Sequence, residues 1–167
     1  MSHNLFESFA SRMQQRGDAD FITTREGRCY SYADTLTESA RLAGALTELG
    51  VSPGDRVAVQ VDKSPEVILL YVACLRIGAV YLPLNTGYTF DEIRYFLGDA
   101  EPALFVCRPQ VHEDTCAIAA EAGCPAVETL GANADGSLLD KAARATPRNE
   151  TVPREADDLA AILYTSG

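Results

Sequence analysis

RVAVQVDKSPEVILLYVACLRIGAVYLPL, residues 56–84, decides the fold. Its two ends, RVAVQV at 56–61 and AVYLPL at 79–84, are short apolar runs of strand length and strand residue types. Between them Ser64 precedes Pro65, a pairing that opens a helix because proline at the first helical position loses no needed N–H bond. The helix is expected to run through Ile77 and to stop at Gly78, since glycine enters the left-handed conformation of a helix end without strain. A strand, a crossover helix and a second strand make a βαβ unit, which sets two strands parallel.

The same alternation continues downstream. Thr89 with Glu92 reads as a capping box opening another helix, ALFVC at 103–107 as a strand, Pro109 to Ala122 as helical, and AVETL at 126–130 as a short strand. Upstream, Asn4 is placed to cap a helix carrying Leu5, Phe6, Phe9 and Met13 along one side. FITT and RCYSY flank Arg25-Glu26-Gly27 and read as a hairpin. Ser31 with Asp34 begins a helix whose stripe of Leu36, Ala40, Ala43, Leu46 and Leu49 ends at Gly50, ahead of a turn at 52–55. The pattern implies an α/β fold with a mostly parallel sheet and flanking helices.

Residues 131–157 hold few large apolar groups apart from Leu138 and Leu139 and are expected to form a surface excursion with one short helix. The chain then returns as DLAAILY, a buried-type strand that joins this sheet or starts another. With 167 residues, 47% of them hydrophobic, the chain suits one domain with a real core.

Fourteen basic against 24 acidic residues give a formal charge of −10 with no concentrated basic patch, which argues against nucleic acid as a partner. The five cysteines, at 29, 74, 107, 116 and 124, follow no CxxC spacing and fit a reducing compartment. Neither a secretory signal nor an apolar run of the ~18 residues that a membrane span requires is present, so a cytoplasmic location and no membrane span are expected.

The chain closes on AILYTSG, 161–167. A strand running into small hydroxylated residues and glycine can form an anion site, because glycine lets backbone N–H groups turn inward and the hydroxyls add donors. By composition alone, a strand-terminating turn is the favoured reading, and the lysine-bearing Walker pattern is missing.

Taken in order, three blocks resemble the start of the adenylate-forming acyl-CoA synthetase family. They are SYADTLTESARLAGAL at 31–46 with PGDRVAV at 53–59, LRIGAVYLPLN at 75–85 with YTFDEIRYFLGDAEP at 88–102, and DDLAAILYTSG at 157–167. The second is similar to the family's LxxGAxYxPLN segment and the third to the opening of its phosphate loop. The resemblance spans the whole of 1–167 and implies an incomplete N-terminal portion of the family's large domain. Within the family, VYLPLNTGYTFDEIRYFLGDAEP, ADDLAAILYTSG and VETLG resemble the malonyl-CoA synthetases.

The resemblance implies an enzyme that activates malonate or a similar small carboxylic acid with ATP and magnesium as an acyl-adenylate, then transfers it to coenzyme A. Thr165, Ser166 and Gly167 map onto the first part of the phosphate loop, as receivers of phosphate rather than nucleophiles. The loop lysine, the magnesium-binding glutamate, the ribose-binding aspartate and the catalytic lysine have no counterparts in 1–167. The resemblance therefore implies no catalytic or metal-binding residue here and an isolated chain that is inactive. Self-association through surface that the rest of the enzyme would cover is a further expectation.

Other candidates have simpler readings. Pro83 and Asn85 fit a strand ending at a proline-directed turn, and His112 with Glu113 and Asp114 fits a solvated helix face. Cys74, Cys107 and Cys116 read as core or near-core fillers, with no histidine at a spacing that would activate them. Asp157 and Asp158 read as the end of a polar loop.

Overall fold

The computed structural model describes residues 3–165. Helix α1, Leu5–Arg16, is capped by Asn4, whose side chain accepts from the Phe6 N–H. Strands β1 (Asp20–Thr23) and β2 (Cys29–Ser31) form an antiparallel hairpin. Helix α2, Tyr32–Glu48, opens on the Ser31–Asp34 capping box. Then follow β3 (Arg56–Gln60), α3 (Pro65–Ile77), β4 (Val80–Pro83), α4 (Phe90–Ala100) and β5 (Leu104–Cys107). A 3-10 turn at Pro109–Val111 leads into α5 (His112–Glu121), β6 (Val127–Thr129) and α6 (Ser137–Ala142).

The main sheet has the order β4-β3-β5-β6, every pairing parallel. Val57 stands beside Tyr81 on one flank and Leu104 on the other, which fixes the register. Because strand residues alternate between faces, Val57, Val59, Leu104, Val106 and Tyr81 join a cluster with α2, α3 and α6. Ala58, Leu82, Phe105 and Cys107 face the other way and pack with Ile93 and Leu97 of α4 and Ile118 of α5. Helices cover both faces, and β5 and the Val57–Val59 centre of β3 are apolar without alternation accordingly.

Residues 131–157 run along the surface, yet Leu138, Ala142 and Ala145 are buried against α2. The chain passes so close to α2 that a Cβ on Gly44 would collide with the Thr146 carbonyl oxygen. It is anchored by the Arg148 N–H to the Ala40 carbonyl and the Val152 N–H to the Arg76 carbonyl, each at 2.9 Å.

DLAAILY joins the existing sheet, beside β4. Ala161 bridges Tyr81 in parallel, with the Tyr81 N–H on the Ala160 carbonyl and the Ile162 N–H on the Tyr81 carbonyl, both at 3.0 Å. The expectation of a buried strand is corrected here: Leu163 is 70% exposed and Leu159 59%. With one neighbouring strand and incomplete cover, an apolar run remains at the edge.

Candidate functional site at the carboxyl edge of the sheet

All four strands of the main sheet deliver their carboxyl ends to one edge, so the loops after them converge there. The crossover from β3 leads to β4 on one side, whereas that from β5 leads to β6 on the other. In an open α/β sheet, the strand ends from which connections diverge in this way, here β3 and β5, are the usual place for a ligand.

Gln60, at the end of β3, is fully buried and donates through Nε2 to the Asn85 carbonyl at 2.8 Å. Asn85 accepts the Gly87 N–H on Oδ1 at 2.9 Å, and Arg108, after β5, donates to the Thr86 carbonyl at 3.3 Å. The turn read from Pro83 and Asn85 is thus tied down from two neighbouring strands. Gln60 Oε1, Ser64 Oγ and Arg108 Nε are buried at this edge without a hydrogen-bond partner. Buried polar groups normally have partners; Glu66 Oε2 and the Nε atoms of Arg76, Arg148 and Arg154 are likewise unpartnered by hydrogen bonds, so what marks this edge is the position of its three atoms beside the strand ends.

A second polar cluster pins the loop after β6. Buried Glu66 accepts on Oε1 from Arg28 at 2.8 Å and from the Tyr30 hydroxyl at 2.7 Å, while Arg28 also donates to the Ala132 carbonyl at 3.1 Å. Burial, with the hydrogen bond to Glu66, pushes the Tyr30 phenol up to about 12. This ties the hairpin, the start of α3 and residues 131–136 together. Sequence reasoning passed over Gln60, Glu66 and Arg108. The available signal was polarity inside apolar context: a glutamine within RVAVQV and a glutamate opening PEVILL.

Thr165 follows Ala161 toward this same carboxyl edge and is exposed. Its approach is set by Tyr164, whose ring lies on Phe96 with centroids 4.4 Å apart and whose hydroxyl donates to Asp99. Phe96 stacks in turn on Tyr88, at 4.7 Å. Burial and the Asp99 contact raise the Tyr164 phenol to about 12. Ser166 and Gly167, the other two expected phosphate-loop residues, lie outside the described residues. Thr165 alone offers a neutral hydroxyl donor at the edge where a parallel sheet takes ligands, which fits one member of a phosphate cradle. Among the described residues no group of three His, Cys, Asp or Glu side chains is arranged to hold a metal ion, and no helix is long and apolar enough to cross a membrane.

Elsewhere, Asp158 accepts the Glu155 N–H and pairs with Arg154, as a loop-ending residue does. The reading that no histidine is placed near a cysteine is corrected: His112 Nε2 lies 3.4 Å from Cys116 Sγ, one helical turn away. The i, i+4 spacing carried that signal. Cys74, Cys107 and Cys124 are buried, and burial raises each thiol.

The model of the AMP-binding enzyme family matches residues 9–167. The chain is 47% identical to apo MatB from Rhodopseudomonas palustris, superposing with a TM-score of 0.93 over 100% of this chain and 33% of that one. ATP-bound MatB from the same organism gives 46% identity and a TM-score of 0.91, with the same coverage. AMB antimetabolite synthetase AmbB of Pseudomonas aeruginosa is 33% identical over 165 residues, which are 99% of this chain and 12% of that protein. The chain thus spans a third of the solved structures it resembles, 33% in both cases.

Proposed function

The chain belongs to the AMP-binding enzyme family, and we propose that it forms the N-terminal portion of an acid–CoA ligase acting on malonate or a similar small carboxylic acid. The proposed reaction joins the acid to AMP at the expense of ATP and then transfers the acyl group to the thiol of coenzyme A. The observation that carries this reading is 47% identity over the whole chain with MatB, whose companion structure holds ATP.

In this reading the residues of 1–167 bind and position. Thr165, with Ser166 and Gly167, donates to the phosphates of ATP, where charge redistributes as pyrophosphate leaves. The Phe96–Tyr164–Asp99 contacts set the height at which that loop begins. Gln60, Asn85 and Arg108 hold the neighbouring loop after β4 in one conformation. Magnesium, when bound, would supply charge neutralisation at the phosphates.

The test is AMP release dependent on malonate and coenzyme A by a polypeptide joining this segment to the remainder of the ligase. Turnover with malonate is expected, and Thr165→Ala should lower kcat/KM by ~10²–10³-fold, the scale of one lost donor to developing charge. Activity on a medium-chain acid with none on malonate would overturn the substrate. For residues 1–167 alone, isothermal titration with ATP should give very weak or undetectable binding. Stoichiometric micromolar binding would instead mark a self-sufficient nucleotide module.

A further inference from the structure

Arg76, in the last turn of α3, is the one arginine among the described residues that is buried, at 4% exposure. Its guanidinium donates through Nη1 to the Asn149 carbonyl at 3.0 Å, and through Nη2 to the Leu36 carbonyl at 3.0 Å and to Ser39 Oγ at 3.2 Å. Nε has no hydrogen-bond partner, so the donors of the fork outnumber their acceptors. Every acceptor is neutral. Arg28, Arg41, Arg94 and Arg154 are all more exposed and each meets a carboxylate, whereas among the described residues Arg76 meets none. A buried charge is normally paired, because removing it from water costs more than bonds to neutral groups return. The carboxyl end of α3 offers only a partial negative charge, and the Phe6 ring, its centroid 4.2 Å from Cζ, only a quadrupole. Burial, opposed by no acid, lowers the guanidinium to about 10.

Arg76 lines an open groove of about 280 Å³ between α1, α2 and residues 149–151. With Phe6 it is a buried member of the lining and forms the floor, while Gln14, Thr37 and Asn149 are exposed and form the rim. No carboxylate lines the groove, although the chain has 24 acidic residues. Glu38, beside Thr37, is held by Arg41, and Glu150 stands exposed outside the lining. None of the large exposed apolar side chains reaches the groove either, so a protein partner would find no anchor in it. A polyanion or an anionic membrane would meet the field of a chain that carries −10. What the groove lacks is one small negative charge.

We infer that this groove is a binding site for a small oxyanion, a phosphate or a carboxylate, held by Arg76 and by the amide and hydroxyl groups of Gln14, Asn149 and Thr151. A planar guanidinium suits the oxygens of either anion, and charge-assisted bonds to it are stronger than those to the neutral acceptors present. An anion seated there joins α1, α2 and the 149–151 segment through one charge, so binding it stabilises the folded chain by mass action.

The test titrates the isotope-labelled 167-residue chain with sodium phosphate, sodium acetate or sodium chloride at equal ionic strength and follows the arginine Nε–H signals by nitrogen–proton correlation spectroscopy. The Arg76 signal is identified by its loss in Arg76→Lys. A saturable shift of that signal is expected with phosphate or acetate and not with chloride, in parallel with a rise in the thermal midpoint. The anion with the larger response tells the phosphate form of the ligand from the carboxylate form. Gln14→Glu, on the exposed side of α1, retains the fold as judged by circular dichroism and keeps the test open should Arg76→Lys fail to fold. Its fixed carboxylate supplies the missing charge and repels the ligand, so apparent affinity should fall about tenfold. The inference is overturned if neither anion shifts the Arg76 signal, if chloride shifts it equally, or if Gln14→Glu leaves the affinity unchanged.

Discussion

Two apolar runs of similar composition, ALFVC at 103–107 and AILY at 161–164, meet opposite fates. From Leu104 to Cys107 every residue is buried, because β5 has a strand on each side and helices over each face. In AILY only one bridge to β4 forms, Leu163 points into water, and the other residues are half-buried. Apolarity makes a segment eligible for a sheet; the number of neighbours decides how far it is buried.

Truncating the core run should have the largest effect. Phe105→Ala removes a fully buried ring and leaves a cavity between α4, α5 and the sheet, which should cost about 3–5 kcal/mol in urea unfolding. Leu163→Ala at the edge should change stability by less than about 0.5 kcal/mol. Similar losses at the two positions would break the comparison. If the edge drives self-association, Leu163→Lys should instead lower the mass seen by light scattering at high concentration.

Gly44→Ala probes a third kind of region, where burial comes from backbone approach rather than from side chains. The added methyl meets the Thr146 carbonyl, so the 131–157 segment must lift from α2, at a cost of about 1–3 kcal/mol and with faster proteolysis within that segment. Unchanged protection there would show that the segment is held by Leu138 and Arg148 alone.

At the helix that supports the edge, Thr89→Ala removes the cap of α4 and should cost about 1 kcal/mol at neutral pH. Hydrogen bonds from the Thr89 N–H and hydroxyl hold the Glu92 carboxyl below its usual range. A depressed carboxyl stabilises above its unfolded pKa, and that contribution is lost as pH falls through the folded value. The difference between wild type and Thr89→Ala should therefore shrink on acidification below about pH 4.

A separate effect lies at alkaline pH. Tyr30 and Tyr164 are raised to about 12, so their stabilising contribution is complete below the unfolded value of ~10 and is lost as pH rises through about 12. Tyr30→Phe and Tyr164→Phe should each flatten the fall of the urea midpoint between those limits. Flattening by Tyr30→Phe alone would show that the edge contact at Asp99 adds nothing in solution.

Local signals were legible because they act over a few residues. Asn4, the Ser31–Asp34 and Thr89–Glu92 boxes, and Gly78 at φ +72° stand where the sequence placed them, since the capping bond itself is local, although the Asn4 amide also donates to the distant Leu75 and Val152 carbonyls. The phosphate role proposed for Thr165 rests on its hydroxyl chemistry and on the family resemblance. Gln60, Glu66 and Arg108 were missed because their partners lie 25, 38 and 22 residues away in the chain, at Asn85, Arg28 and Thr86.

By itself the sequence determined the alternation of strands and helices, their caps, and the apolar faces that each would bury, all properties of periods of two to four residues. Tertiary structure decided the order β4-β3-β5-β6, the closeness of α2 to Thr146 and the place of AILY at an edge. Those outcomes depend on which distant segments compete for the same neighbours. A strand carries no record of its neighbours until the sheet has formed.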